Sequence, residues 1–576
     1  MPTFNDLKKN AKKDTTGFAE VNFSLLGDTA TQFLAQAIQG YAYLSHLRLN
    51  LFEADYNQID AQVLDENSEL YRSVPDYVAL YMSAEKCYEA FCETALENRH
   101  DFAENYMAKI RGYWGCINQH RKCRILQFTF AEIDDGIFGN YAGKTPVSFL
   151  YQIRKLNLLL MDSAQECKNV YLIDLCSVQN LYGRNAVLDE KYLYSAKMAL
   201  SLDILPHVAK QTVDVVDALR GKFKKCAVLD LDNTLWGGVI GDDGISNIQI
   251  GELGAGKAFT DLQRWLKQLK ERGVLLAVCS KNNENTAKEP FEKHPDMVLR
   301  LDDISMFVAN WDDKASNIRY IQQTLDLGMD SFVFLDDNPF ERNMVRSLIP
   351  EIAVPELPED PALYVSFLRE QNLFETASYS DEDLKRTKQY QAEIGRAITQ
   401  KNYASIDDYL ISLEMLAEVR PFDSFQYPRI AQLTQRSNQF NLRTVRYTEA
   451  EIEETAKSDK YLTLYFTLRD KFGEHGLISV VILEKRPEQT LFVDTWLMSC
   501  RVLKRGMEEF IVNRMVESAR ANGFQKVVGE YLQTPKNAMV ADIYEKLGFQ
   551  RINESRFTAD VNTFKQNKTY IEEKSE

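Results

Sequence analysis

The sequence predicts an α/β protein of several domains, and three observations carry that prediction. The chain has 576 residues, well beyond what one hydrophobic core usually supports. Short apolar runs alternate with helix-like stretches, the pattern of mostly parallel sheets. That alternation occurs in two successive regions, and a third region mixes helices with longer β-runs.

In order along the chain, residues 1–220 form the first expected domain. Its β-like runs are "VNFSLLGD" (21–28), "RILQFTFAEID" (124–134) and "NVYLIDL" (169–175), with helical stretches such as "SFLYQIRKLNLLLMDSAQ" between them. Residues 221–370 repeat the alternation more cleanly, with expected strands at "CAVLDLD", "VLLAVCS" (274–280), "MVLRLD" (297–302), "SFVFLDD" (331–337) and "IAVPEL" (352–357). The helices between them are "KAFTDLQRWLKQLKERG" and "KASNIRYIQQTLDLG", the second with Gly328 as its expected C-terminal cap. Residues 371–404, polar and helix-prone, read as a connector. Residues 405–560 form the last domain, with β-runs "YLTLYFTLRD", "LISVVILEK" and "LFVDTWLMS", and residues 561–576 read as a frayed tail.

Composition removes several function classes. The formal net charge is −16, which excludes generic nucleic-acid binding through a basic surface. The nine cysteines contain no CxxC pair or zinc-like cluster, and several lie in apolar runs, as free thiols in a reducing compartment do. No apolar run is long enough for a membrane helix, and "MPTFNDLKKNAKK" lacks the apolar stretch of a secretory signal. The expected setting is cytoplasmic.

The chemistry concentrates at "CAVLDLDNTLWGGVIGDDG" (226–244). Asp230 and Asp232 stand two apart where an apolar run stops, and strand alternation puts them on the same side. Like charges so close are unfavourable unless a cation or a proton compensates. A second pair, Asp336–Asp337, ends "SFVFLDDNP". Carboxylates converging from two strand tips make an oxygen-rich site suited to Mg²⁺. Ser280, closing "LLAVCS", can donate to a phosphoryl oxygen, and Lys314 in "NWDDKASNI" brings positive charge. This set suits phosphoryl transfer through an aspartyl-phosphate. Asp230 is then the nucleophile and Asp232 the acid/base; Thr234, Ser280 and Lys314 attend the phosphate; Asp230, Asp232, Asp336 and Asp337 surround the metal. Trp236 and the glycines after it form either a flap over the site or a packed hairpin.

The ordered set DxDxT, Ser, Lys and acidic pair resembles the haloacid dehalogenase (HAD) superfamily, implying a Rossmann-like domain, here with a minimal cap. "LDLDNTLWGGVIGDDG", "LLAVCSKNNE", "FLDDNPFER" and "RIAQLTQRSNQFNLRTVRYTEAE" (429–451) together resemble the FkbH-like family. That resemblance implies removal of phosphate from a phosphorylated acyl donor, 1,3-bisphosphoglycerate, and loading of its glyceryl group onto the phosphopantetheine thiol of an acyl carrier protein. The last domain resembles a GNAT-type α+β acyltransferase, which implies phosphopantetheine or coenzyme A near Arg501, Lys504 and Gly506, with Lys504 where the family pattern has glycine. His475 is a candidate base there, and the amides of "SNQFNL" (437–442) are candidate pantetheine contacts. The first domain resembles an SGNH/GDSL esterase, with Asp28 and Thr29 at the nucleophile position and Asn140 as an oxyanion donor. The competing function is a GNAT-type acyltransferase for surface-glycan or secondary-metabolite precursors, with the HAD module structural.

Overall fold

The computed structural model describes residues 1–379, 386–387, 390–392 and 405–574, so most of the connector expected at 371–404 lies outside the described residues. The chain divides into two compact units, Met1–Ala218 and Leu219–Glu576.

The first unit is built on five strands: β1 (Ala19–Gly27), β2 (Leu47–Glu53), β3 (Tyr77–Tyr81), β4 (Arg124–Phe128) and β5 (Val170–Ile173). All pair in parallel, in the order β2-β1-β3-β4-β5. β3 is buried at every position, as expected of a strand covered on both faces. The long helices Phe102–His120 and Phe149–Glu166 share a core with it through Trp114, Phe149 and Leu156. The order reverses between β1 and β3, and Asp28 follows β1 at that point.

The second unit contains two sheets. The first has β6 (Cys226–Leu229), β7 (Leu275–Ser280), β8 (Met306–Ala309) and β9 (Phe332–Leu335), all parallel in the order β8-β7-β6-β9. Strand alternation divides β6 between two cores. Ala227 and Leu229 pack with Leu262 and Leu266 of the helix Gly254–Glu271. Cys226 and Val228 pack with Ile318 and Ile321 of the helix Lys314–Leu325. Three expectations are corrected here. "MVLRLD" is not a strand; β8 begins four residues beyond it. "IAVPEL" forms a single bridge, Ala353 to Val333, because prolines interrupt its ladder. The helix Lys314–Leu325 is capped by Asp326 at φ 48°, before Gly328 is reached.

The second sheet has eight strands: β10 (Leu416–Arg420), β11 (Tyr461–Asp470), β12 (Gly473–Arg486), β13 (Thr490–Met498), β14 (Lys526–Glu530), β15 (Gln550–Arg551), β16 (Arg556–Asp560) and β17 (Glu572–Glu573). β10 to β13 run antiparallel; β13 and β14 are parallel, joined through the helix Met507–Ala521. β13 and β14 pair only over Thr490–Phe492 and Lys526–Val528. Beyond that they part, and Phe440–Leu442 fills the gap. The Met498 N–H donates to the Phe440 carbonyl (3.1 Å), Leu442 N–H to Trp496 (3.3 Å) and Leu532 N–H to Leu442 (2.9 Å). The tail expected to fray is tied down instead. Ile571 is buried, Glu572 N–H donates to Met415 (3.0 Å) and Lys574 N–H to Ala417 (2.9 Å). Among the described residues, no helix is long and apolar enough to cross a membrane.

Candidate active site

β6 is an inner strand of its sheet and β9 lies beside it, so the residues that follow both strands emerge together. The Asp230 N–H donates to the Leu335 carbonyl (2.9 Å), locking the two tips in register. Carboxylate oxygens of Asp230, Asp336 and Asp337 then lie within 4.8 Å of one another. Lys314, the first residue of its helix, reaches in from the side. Its ammonium is 3.0 Å from Asp230 and 2.5 Å from Asp336, and its side chain is 4% exposed. Asp313 caps that helix by accepting from the Ser316 N–H (2.8 Å), which holds Lys314 in place.

The charges do not balance. Three carboxylates and one ammonium leave a formal charge of −2 when all are ionised. Burial pushes the Asp230 carboxyl above its ordinary range against the pull of Lys314. Burial, reinforced by Asp230, pushes Asp336 up to about 6. Burial and then Asp336 raise Asp337. Burial works against the Lys314 ammonium, but Asp230 and Asp336 together outweigh it and hold the group well above the usual lysine range. An all-oxygen pocket short of two positive charges fits a hard divalent cation.

Asp232 departs from expectation. Asn233 adopts φ 54°, the strand ends, and the Asp232 side chain is not in the cluster of three carboxylates. Its Oδ1 accepts from Trp236 Nε1 (2.9 Å) and the Ile240 N–H (3.0 Å), and its Oδ2 accepts from Asn282 Nδ2 (3.1 Å). Trp236 is fully buried and packs edge-on against Phe291, 5.9 Å between centroids, so the hairpin alternative holds rather than the flap. Thr234, expected at the phosphate, ties the two strand tips together: its hydroxyl accepts from the Asp337 N–H (3.1 Å) and lies 3.4 Å from the Asp337 carboxylate. Ser280 is buried at the end of β7, beside β6.

Two supporting residues escaped the sequence reading. Asn282 carried a signal only in retrospect, as a polar residue two beyond Ser280. Buried Arg342 donates from one nitrogen to the Asp336 and Asp337 carbonyls (2.8 and 2.6 Å) and fixes the tip of β9. An arginine on a helix carries no such mark in sequence.

The candidates in the flanking regions have different surroundings. Both Asp28 oxygens accept from the Ser83 N–H (2.9 and 3.0 Å), and burial pushes its carboxyl up to about 7. Thr29 is buried beside it, whereas Asn140 is exposed in the turn Gly139–Lys144. Among the described residues, no hydrogen bond joins Asn140 to either. His475 is buried, its Nε2 3.1 Å from Asp470 Oδ2 and 3.3 Å from Arg505. Arg501 is buried and donates to Ser499 Oγ (3.2 Å). Lys504 takes φ 61°, the left-handed conformation in which glycine is at ease. Gly506, at φ 80°, leads into the helix Met507–Ala521, and its carbonyl accepts from the Thr569 hydroxyl (3.0 Å). The "SNQFNL" amides are engaged internally: Asn441 Nδ2 donates to Ser437 and its Oδ1 accepts from the Thr444 N–H, while Asn438 Nδ2 donates to Gly221.

Carboxylates gathered at the carboxyl ends of a doubly covered parallel sheet define the class: a multidomain α/β protein with a phosphatase-like domain. The FkbH N-terminal domain family matches residues 22–217. The crystallised N-terminal part of the protein BF1531 from Bacteroides fragilis, containing a phosphatase domain complexed with Mg, is 48% identical, covering 66% of this chain and 100% of its own, with a TM-score of 0.64. The chain belongs to the FkbH-like family. The ribosomal-protein-S18-alanine N-acetyltransferase from Escherichia coli is 14% identical over 25% of this chain and 90% of its own, with a TM-score of 0.20. Spermidine N-acetyltransferase from Vibrio cholerae, in complex with CoA and spermine, is 15% identical over 26% of this chain and 97% of its own, with a TM-score of 0.20. No curated protein matches the chain.

Proposed function

We propose that the chain is a Mg²⁺-dependent phosphatase or phosphotransferase working through an aspartyl-phosphate on Asp230. We further propose that this chemistry is coupled to moving a glyceryl or similar acyl group from an acyl phosphate to the phosphopantetheine thiol of an acyl carrier protein. The observation that carries the first part is the charge deficit of −2 among Asp230, Asp336, Asp337 and Lys314 at the strand tips. The Mg complex of the BF1531 phosphatase domain, 48% identical, supports the choice of cation. The reading in which this domain is merely structural leaves that deficit without a purpose.

Asp230, Asp336 and Asp337 would hold the ion. Bound Mg²⁺ supplies charge neutralisation to the phosphoryl oxygens. On a phosphate ester, the Asp230 carboxylate attacks phosphorus as the bond to the leaving oxygen breaks, and that oxygen takes a proton from Asp232. Asp232 then takes a proton from water, and the oxygen so activated attacks the same phosphorus. The bond to Asp230 breaks, inorganic phosphate leaves and both carboxyl groups return to their starting states. Trp236, Ile240 and Asn282 keep Asp232 at a fixed angle throughout. Lys314 offsets charge on Asp230 and Asp336 between turnovers, and Ser280 donates to a phosphoryl oxygen.

The test is phosphate release from 1,3-bisphosphoglycerate with Mg²⁺, with and without a holo-carrier protein, followed by the intact mass of the carrier. Release without any mass gain would retain the phosphatase and remove the acyl transfer. Full release by Asp230→Asn would remove both.

A further inference from the structure

The sheet of the first unit reverses its strand order between β1 and β3, and polar groups gather beyond the ends of those strands, where open α/β sheets form a crevice. Asp28 and Thr29 follow β1, Tyr81 closes β3, Glu85 stands in the first turn of the helix Ala84–Glu93, and Arg184 opens the short helix Arg184–Val187. The Asp28 N–H donates to the Tyr81 carbonyl (3.3 Å), which holds the two strand tips together. Arg184 lies 3.4 Å from Glu85 and donates to the Glu132 carbonyl (3.0 Å). The chain returns to this end of the sheet at Lys197, whose carbonyl accepts from the Ala30 N–H (2.8 Å).

Two of these groups are left short. Asp28 is 8% exposed. Among the described residues its hydrogen-bond donors come from Ser83: one N–H serves both oxygens (2.9 and 3.0 Å), with the Ser83 hydroxyl beside them. A carboxylate has about four acceptor positions. Among the described residues no cation forms an ion pair with Asp28; Lys86, whose charge it feels, is committed to Glu89 at 2.6 Å. Burial holds the carboxyl up at about 7 against Ser83, and Glu85 adds to it. Independently of the carboxylates, Thr29 is 3% exposed and its hydroxyl makes no hydrogen bond of ordinary geometry. The Tyr81 phenol lies beside that hydroxyl; burial, then Glu85 and Asp28, keep the phenol protonated. A buried carboxylate without a counter-charge and a buried hydroxyl without a partner both oppose folding, so the fold alone gives no reason for them. Exposure rises to 16% at the Glu85 side chain and 31% at that of Arg184, so the group opens to solvent past this pair.

We propose that this crevice is a ligand site of the first unit, taking the ammonium group of a small primary amine between the Asp28 carboxylate and the Thr29 hydroxyl. An ammonium has three donors and no acceptor. It supplies the counter-charge that Asp28 lacks and the hydrogen bond that the Thr29 oxygen lacks, and the Tyr81 oxygen can accept the third. A neutral hydroxyl meets the second need and not the first. A hard divalent cation asks for more oxygen charge than is free here, because Glu85 is already engaged by Arg184. The site belongs to Met1–Ala218, whereas the strand-tip carboxylates of phosphoryl transfer belong to Leu219–Glu576. Asn140, which the sequence grouped with Asp28 and Thr29, is exposed and has no part in it.

The test is ligand-observed NMR of the full chain, read as a titration of saturation transfer. The probes are ethanolamine and glycerol, the second carrying hydroxyls and no amine. We expect saturable transfer to ethanolamine and none to glycerol. Asp28→Asn keeps the shape, removes the charge and should weaken ethanolamine binding roughly ten- to a hundredfold, the scale of a lost charge-assisted hydrogen bond. Thr29→Val removes only the hydroxyl and should weaken it about three- to tenfold. Both substitutions delete groups that oppose folding, so without amine neither variant should melt below the wild type. The proposal is overturned by an absence of saturable transfer to ethanolamine, by equal or stronger transfer to glycerol, or by undiminished binding in Asp28→Asn. It is also overturned if both variants melt below the wild type without amine, since the two groups then serve the fold.

Discussion

Replacing Asp336 by asparagine should make the metal-free protein more stable while abolishing turnover. Asp336 has no exposed side-chain surface, and burial moves its carboxyl from 3.8 to about 6. At about 1.4 kcal/mol per pH unit, ionising it in the folded state opposes folding by about 3 kcal/mol at neutral pH. Asparagine has the same shape and no charge, so it removes that opposition. The contact with Lys314 is already contained in that net shift, because the Lys314 ammonium pulls the carboxyl down against burial, and Lys314 keeps Asp230 at 3.0 Å. The balance is a gain of up to about 3 kcal/mol, a rise of several degrees in melting temperature. The sign with pH follows. The raised carboxyl weakens the wild type above about 6 and ceases to do so as pH falls from 6 towards 3.8, so the two proteins converge in acid. Mg²⁺ reverses the order: at a thousand times its Kd it adds about 4.1 kcal/mol to the wild type and little to the variant. Thermal melts of both proteins, with chelator and with Mg²⁺, at neutral and acid pH, check all three statements. A variant that melts below the wild type in chelator at neutral pH would refute the reasoning.

Other outcomes follow from the same geometry. Asp230→Asn should reduce phosphate release at least roughly a thousandfold, as loss of a covalent nucleophile does, read by steady-state phosphate assay. Arg342→Met frees the Asp336 and Asp337 carbonyls and should weaken Mg²⁺ binding about tenfold or more, read by calorimetry. Lys504→Gly relieves a left-handed lysine and should stabilise the chain by roughly 0.5–1 kcal/mol, read by thermal melt. Gly221→Ala drives a methyl into the Gln435 carbonyl and should destabilise by more than about 2 kcal/mol, read in the same way.

The candidate site was legible because its residues end strands. Asp230, Ser280 and Asp336 each close an apolar run, and apolar runs ending in polar residues are visible in one dimension. Lys314 was legible because it opens an amphipathic helix between two of them. Asp232 lies outside the carboxylate cluster, against expectation, because the strand ends at Leu229 and Asn233 turns the chain with a positive φ that no pattern announces. β2 and β3 went unread: each is a short run set among helices, and its place in the sheet comes only from pairing with its neighbours. β17 is two residues long and gains its meaning only from pairing with β10. Arg342 and Asn282 act through carbonyls and carboxylates supplied by distant segments, so their roles exist only once the sheet is assembled.

The wedge Phe440–Leu442 bears on the route by which the second sheet is completed. β11 to β13 can zip as neighbouring hairpins, each strand joined to the next by a short turn. The gap between β13 and β14 cannot close that way, because the segment that fills it precedes β11 and must bond residues on both sides. Closing it joins parts of the chain far apart in sequence, at the loop-closure entropy such contacts demand. The hydrogen bonds that join the wedge to Trp496, Met498 and Leu532 are therefore the ones a folding intermediate of this domain would lack, and the Leu442, Met498 and Leu532 amides are where hydrogen exchange would report its opening.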